Sequence, residues 1–157
     1  QLWIDKNDPL VKSIVERIAK RAELTFDQAE NVLVLKYLPF KTFKPLYDGC
    51  CDETAKCNNI LEKRGQRILA VEIYLNPDFN DGETIFPNIN NLKLKPELGG
   101  GIVIYPLAKN YMKCHPMAKR HSNQVGNGIK WTMNIWFNIT SYGSFALTSY
   151  GSFAGAQ

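Results

Sequence analysis

The sequence has no apolar run approaching the roughly 18 residues that a membrane-spanning helix requires, so a helical membrane span is not expected. It also lacks a charged segment followed by an apolar stretch at its start, which opens on Gln1-Leu2-Trp3. No secretory signal is read there, the chain is expected to be soluble, and its compartment stays open. Basic residues form no run, and 19 Lys and Arg stand against 15 Asp and Glu. A balance this mild gives no support for nucleic-acid binding. The four cysteines, at 50, 51, 57 and 114, do not have the paired spacing of a zinc site. A disulfide that involves Cys57 is one reading of them, and buried thiols that stay reduced are the other. Asn138-Ile139-Thr140 is a formal glycosylation sequon with meaning only in a secretory compartment.

What is present is one domain's worth of chain, 157 residues, of which 45% are hydrophobic and 22% charged. Asp8-Pro9 is a helix start, a capping carboxylate followed by proline where no amide donor is needed. Leu10, Val11, Ile14, Val15, Ile18, Ala19 and Ala22 then repeat at helical spacing, and Thr25-Phe-Asp-Gln28 has the form of a capping box. From residue 31 the pattern turns to β. Val32–Leu35 leads into Tyr37, a polar cysteine-rich loop runs to about Arg64, and Arg67–Leu75 reads as a strand buried on both faces. Short strands are expected around 84–86, 92–95 and 101–105, with a last clear strand over Lys130–Phe137. Helices first and many short strands after predict an α+β, mainly β chain: an antiparallel sandwich or jelly roll with helices on one side. Trp131 and Trp136 are five apart and fall on opposite faces of their strand. His115 lies in a polar loop and is expected to face water. The tail from 140 to 157 holds a near-perfect Ser/Gly-rich repeat, Thr-Ser-Tyr-Gly-Ser-Phe-Ala, too short for a solenoid.

The chemistry-bearing residues cluster in three segments. One is Tyr37 with Phe43-Lys-Pro-Leu-Tyr-Asp48, the second is Gly82-Glu-Thr-Ile-Phe-Pro87, and the third runs from His121 to Lys130-Trp131 and Trp136. In this order they resemble the catalytic core of the prolyl 4-hydroxylases, which are iron(II)- and 2-oxoglutarate-dependent dioxygenases. The resemblance spans about residues 1–138. It implies a double-stranded β-helix, a jelly-roll barrel over 1–139, with the metal in its mouth and the N-terminal helices as support. It also implies Asp48 and His121 as iron(II) ligands and Lys130 as the cation for the far carboxylate of 2-oxoglutarate. Tyr37 and Thr84 would be hydroxyls on that carboxylate, and Trp136 a wall of the cosubstrate pocket. Ascorbate and a proline-containing peptide or protein complete the implied chemistry, in which proline is hydroxylated. The polar stretches 49–66 and 106–120 would serve as lids over a peptide groove.

Three departures qualify the resemblance. Leu46 stands where the family has its first iron-binding histidine, and an isobutyl group has no lone pair to give. Phe40 stands where the family often has glycine, and the interval from His121 to Lys130 is one residue shorter than in many members. The sequence therefore carries two functional readings. One is a prolyl 4-hydroxylase-like dioxygenase impaired at Leu46. The other is an inactive relative that keeps the fold as a peptide-binding or structural module.

Overall fold

The computed structural model describes residues 1–41, 43–51, 54–109 and 113–140, so the repeat tail beyond 140 lies outside the described residues. Among the described residues, eleven strands and two α-helices follow one another as β1 (Leu2–Ile4), α1 (Pro9–Arg21), β2 (Val32–Tyr37), β3 (Phe43–Leu46), α2 (Ala55–Arg64), β4 (Arg67–Tyr74), β5 (Phe79–Asp81), β6 (Thr84–Phe86), β7 (Leu92–Leu94), β8 (Gly101–Ile104), β9 (Arg120–Ser122), β10 (Val125–Gly128) and β11 (Lys130–Asn138). They form a five-stranded sheet in the order β1-β2-β11-β4-β8, a four-stranded sheet β3-β9-β6-β7, and the pair β10-β5. Every named pairing is antiparallel. The result is the jelly-roll barrel, mainly β with few helices.

Local signals account for the helical part. Asp8 caps α1 by accepting from the Leu10 amide, Pro9 opens it, and Lys20 and Arg21 sit in its last turn, where they favour the dipole. The Thr25–Gln28 capping box closes the next turn. Val11, Val15 and Ala19 of α1 bury against Val32, Leu69, Val71, Met133, Ile135 and Phe137, the outer face of the large sheet. The other face, with Phe79, Phe86 and Val125, encloses the barrel interior.

Strand alternation decides what enters that interior. In β11, Lys130, Thr132, Asn134 and Trp136 are buried on the barrel side, while Met133, Ile135 and Phe137 join α1. Trp131 instead stays partly exposed, with Lys36 Nζ 5.3 Å from its ring centroid. The two tryptophans thus take opposite faces, as their spacing requires.

Two expectations are corrected. The stretch up to Arg64 is not all loop: α2 occupies Ala55–Arg64, capped by the Thr54 hydroxyl on the Cys57 amide and ended by Gly65 at φ 75°. The disulfide does not involve Cys57; it joins Cys51 to Cys114, tying the segment before α2 to the connection that leads into β9. Four cysteines allow three pairings, and sequence alone does not choose among them. His115 is exposed and caps the short turn at Pro116–Ala118. Phe40, at the glycine position of the resemblance, holds a left-handed backbone at φ 63° with its side chain exposed.

Candidate active site

A cavity of about 750 Å³ opens at one end of the barrel, lined among others by Trp3, Tyr37, Leu46, Asp48, Arg120 and Trp136. At its floor, charges alternate in sign. Asp48 follows β3 and is buried. Its Oδ1 accepts from Arg120 Nη2 at 3.0 Å and from Trp136 Nε1 at 2.8 Å, and its Oδ2 accepts from Arg120 Nε at 2.8 Å. Arg120 Nη1 then donates to Glu72 Oε2 at 2.9 Å, and the same oxygen accepts from Thr84 Oγ1 at 2.8 Å. Glu72 Oε1 lies 3.6 Å from Lys130 Nζ, whose side chain is fully buried. Lys130 also donates to the Gly82 carbonyl at 2.8 Å and to the Tyr74 hydroxyl at 3.2 Å. Tyr37 and Tyr74 place their rings 5.1 and 4.5 Å from that ammonium. On the far side, Arg67 stacks over Trp136 at 4.1 Å and binds Glu30 through two hydrogen bonds of 2.6 and 2.9 Å.

The network sets the protonation states. Burial alone would raise the Asp48 carboxyl, but the Arg120 guanidinium and the bonds from Arg120 and Trp136 hold it below its ordinary range. Burial would lower Arg120, and Asp48 with Glu72 reverses this, so it is held more firmly as a cation. Burial lowers Lys130, with Glu72 opposing. Tyr37 is pushed up to about 12, by burial first and then by the Glu72 charge. Aspartate and arginine thus form a tight ion pair, with a second carboxylate and ammonium beyond it.

Of the residues named from sequence, Asp48, Tyr37, Trp136 and His121 line the cavity, and Lys130 and Thr84 sit behind Glu72, which they contact, outside the lining. His121 shares the lining but not the network. Ser122 pairs with Thr84 and is buried with it, and His121 pairs with Ile85, so along β9 His121 alternates with Arg120 and Ser122, although all three line the cavity. Its Nδ1 lies 3.4 Å from the Ser122 carbonyl, and no hydrogen bond joins it to Asp48 among the described residues. Arg120, not His121, stands opposite Leu46 across the β3–β9 ladder.

Glu72, Arg120 and Tyr74 were not found from the sequence. Glu72 lies inside an apolar strand, where an ionisable residue must have a buried partner; that was the available signal.

The fold first defines a class. The chain has the fold of 2-oxoglutarate/iron(II) oxygenases. It superposes on a viral collagen prolyl hydroxylase from Paramecium Bursaria Chlorella virus-1 with a TM-score of 0.70 at 22% identity, covering 88% of this chain and 79% of that one. A Pseudomonas putida prolyl-4-hydroxylase gives 0.57 at 15%, over 87% and 71% of the two chains. Within that class the chain is a homologue of the prolyl 4-hydroxylases. It is 47% identical over 137 residues to a putative prolyl 4-hydroxylase of Acanthamoeba polyphaga mimivirus, covering 87% of this chain and 56% of the relative. It is 24% identical over 145 residues to prolyl 4-hydroxylase 1 of Arabidopsis thaliana, covering 85% and 49%. The chain spans about half the length of the curated relatives it matches. No family model matches it.

The oxygenase class implies iron(II) and 2-oxoglutarate, and the residues present do not fit the metal. Asp48 already accepts three hydrogen bonds, Leu46 offers no donor atom, and the neighbour across the ladder is a guanidinium. Among the described residues, no three His, Cys, Asp or Glu side chains converge as ligands. A divalent ion about 4 Å from a buried guanidinium meets a repulsion on the order of 8 kcal/mol at an effective dielectric near 20.

Proposed function

We propose that this chain is a prolyl 4-hydroxylase-like domain whose oxygenase chemistry is impaired and which binds a proline-containing peptide. One observation carries the reading: the fork of Arg120 closes on both carboxylate oxygens of Asp48. Such a bidentate pair is among the stronger charge-assisted contacts, and a metal would have to displace it. Leu46 adds to the loss by withholding a ligand on the neighbouring strand. Peptide binding is supported by the cavity wall, where Trp3, Leu33, Leu35, Tyr37, Tyr47 and Trp136 offer the aromatic and apolar surface that proline-rich segments favour. Arg67 and Glu30 fix the Trp136 wall from behind.

The test measures two things on one preparation. With iron(II), 2-oxoglutarate, ascorbate and a proline-rich peptide, the chain should form no succinate above the peptide-free background. The same peptide should change the cavity tryptophan fluorescence with saturation. Leu46→His alone should leave metal binding weak, because Arg120 still holds Asp48. Leu46→His with Arg120→Ala should bind iron(II) or cobalt(II) at least about tenfold more tightly, since even changes outside the ligand set move metal affinity on the order of 10–100-fold. Robust succinate formation by the unsubstituted chain would overturn the impaired reading, and a silent fluorescence titration would overturn peptide binding.

A further inference from the structure

Glu72 is the one acidic residue of β4, 1% exposed in a strand of apolar neighbours. Burying a carboxylate is costly unless donors and cations surround it, and here they do. Thr84 and Arg120 donate to Oε2, and Lys130 faces Oε1. Tyr74, hydrogen-bonded to Thr84 at 2.9 Å and to Lys130 at 3.2 Å, completes the ring. By the resemblance, Lys130, Thr84 and Tyr37 are the groups expected to take the far carboxylate of 2-oxoglutarate. In this chain they surround a carboxylate of its own.

The geometry points to Glu72 as an internal occupant of that anion site: its side chain closes the Lys130 pocket to 2-oxoglutarate, and removing it opens the pocket to a small carboxylate. The inference rests on the family reading of Lys130 and makes no use of the metal. Charge balance supports it. Asp48 and Glu72 offset Arg120 and Lys130, two against two, while Glu30 is taken up by Arg67. Without Glu72, the ammonium has no carboxylate and the guanidinium retains one. Size supports it as well. Glu72→Ala keeps Cβ and deletes the Cγ and carboxyl, which is acetate in outline.

The experiment is thermal unfolding with a chelator throughout, comparing sodium acetate and sodium 2-oxoglutarate with chloride at equal ionic strength. Glu72→Ala should unfold at a lower temperature than the parent. Acetate at about ten times its dissociation constant should then raise its Tm by about 4 °C relative to chloride. The parent should respond to neither acetate nor 2-oxoglutarate. Glu72→Gln fills the space with a neutral amide and should also be unresponsive. Glu72→Ala with Lys130→Met should lose the response to acetate.

A 2-oxoglutarate shift in the parent as large as the acetate shift in Glu72→Ala overturns the closure. So does a folded Glu72→Ala chain indifferent to acetate, or one that stays unfolded in acetate and chloride alike. Because the curves are taken without metal, tight iron binding by the parent would defeat the impaired-oxygenase reading and leave this result standing.

Discussion

The two faces of the five-stranded sheet are built from the same strands and follow opposite rules. On the α1 side, Leu69, Val71, Met133, Ile135 and Phe137 meet Val11, Val15 and Ala19 in an apolar cluster. On the barrel side, the alternate residues of β4 and β11 include Glu72, Tyr74, Lys130, Thr132 and Asn134, all buried. A one-residue step along a strand therefore separates generic apolar burial from a four-charge network. The dry face is stabilised by area removed from water. The wet face is tolerated because each charge has a partner, and such networks rarely add net stability over an apolar replacement.

The largest expected effect comes from breaking the network on one side only. Arg120→Met leaves Asp48 and Glu72 facing each other's surroundings without their shared guanidinium, and should cost about 3–5 kcal/mol in urea unfolding. Replacing the set together, Asp48→Leu, Arg120→Met, Glu72→Leu and Lys130→Met, should recover most of that loss. If the fourfold variant is no better than Arg120→Met alone, the network stabilises the fold outright and the contrast between the faces fails. On the dry face, Leu69→Ala should cost about 2–5 kcal/mol through lost burial and a residual cavity. No second substitution of charge should repair it, which a denaturant titration of the combined variants would check.

How much of this was legible in the sequence follows from the same contrast. The dry face could be read because its signals are local and periodic: Asp8-Pro9, the 3.6 spacing of Val11 to Ala19, and the β-branched runs. The jelly roll was legible from many short strands, although β5, β9 and β10 are three or four residues each and carry too little pattern to find. α2 was missed because the 55–64 stretch is largely polar, with only Cys57, Ile60 and Leu61 to mark a face. On the wet face, Asp48, Lys130, Tyr37, Thr84 and Trp136 are residues that motif order names, and their side chains are buried there. Glu72 was hidden by the apolar run around it, and Arg120 passed for part of a polar connection. Its pairing with Asp48 spans 72 residues, and no local pattern encodes which of Arg120 and His121 meets that carboxylate.

The smallest effect, and the one that separates the faces without disturbing packing, is the response to acid. The folded-state pKa of Asp48 is depressed below its ordinary 3.8, because Arg120 and the Trp136 bond outweigh burial. A depressed carboxyl contributes stability that is fully present above the unfolded value and is lost as the pH falls through the folded one. Unfolding free energy should thus decline with acid below about pH 4. Exposed Asp5 and part-exposed Glu83 are also depressed and share in that decline, so the informative quantity is a difference between variants. Leu69→Ala should run parallel to the parent, displaced downward at every pH, since its loss involves no proton. Asp48→Asn should start lower near neutral pH, where the Arg120 charge has lost its partner, and then approach the parent as acid removes the same charge from it. Urea titrations from pH 6 to about pH 2.5 would show the convergence. Parallel curves for Asp48→Asn would mean that the Asp48–Arg120 pair is not what acid breaks, and that the barrel interior responds to pH no differently from the dry face behind it.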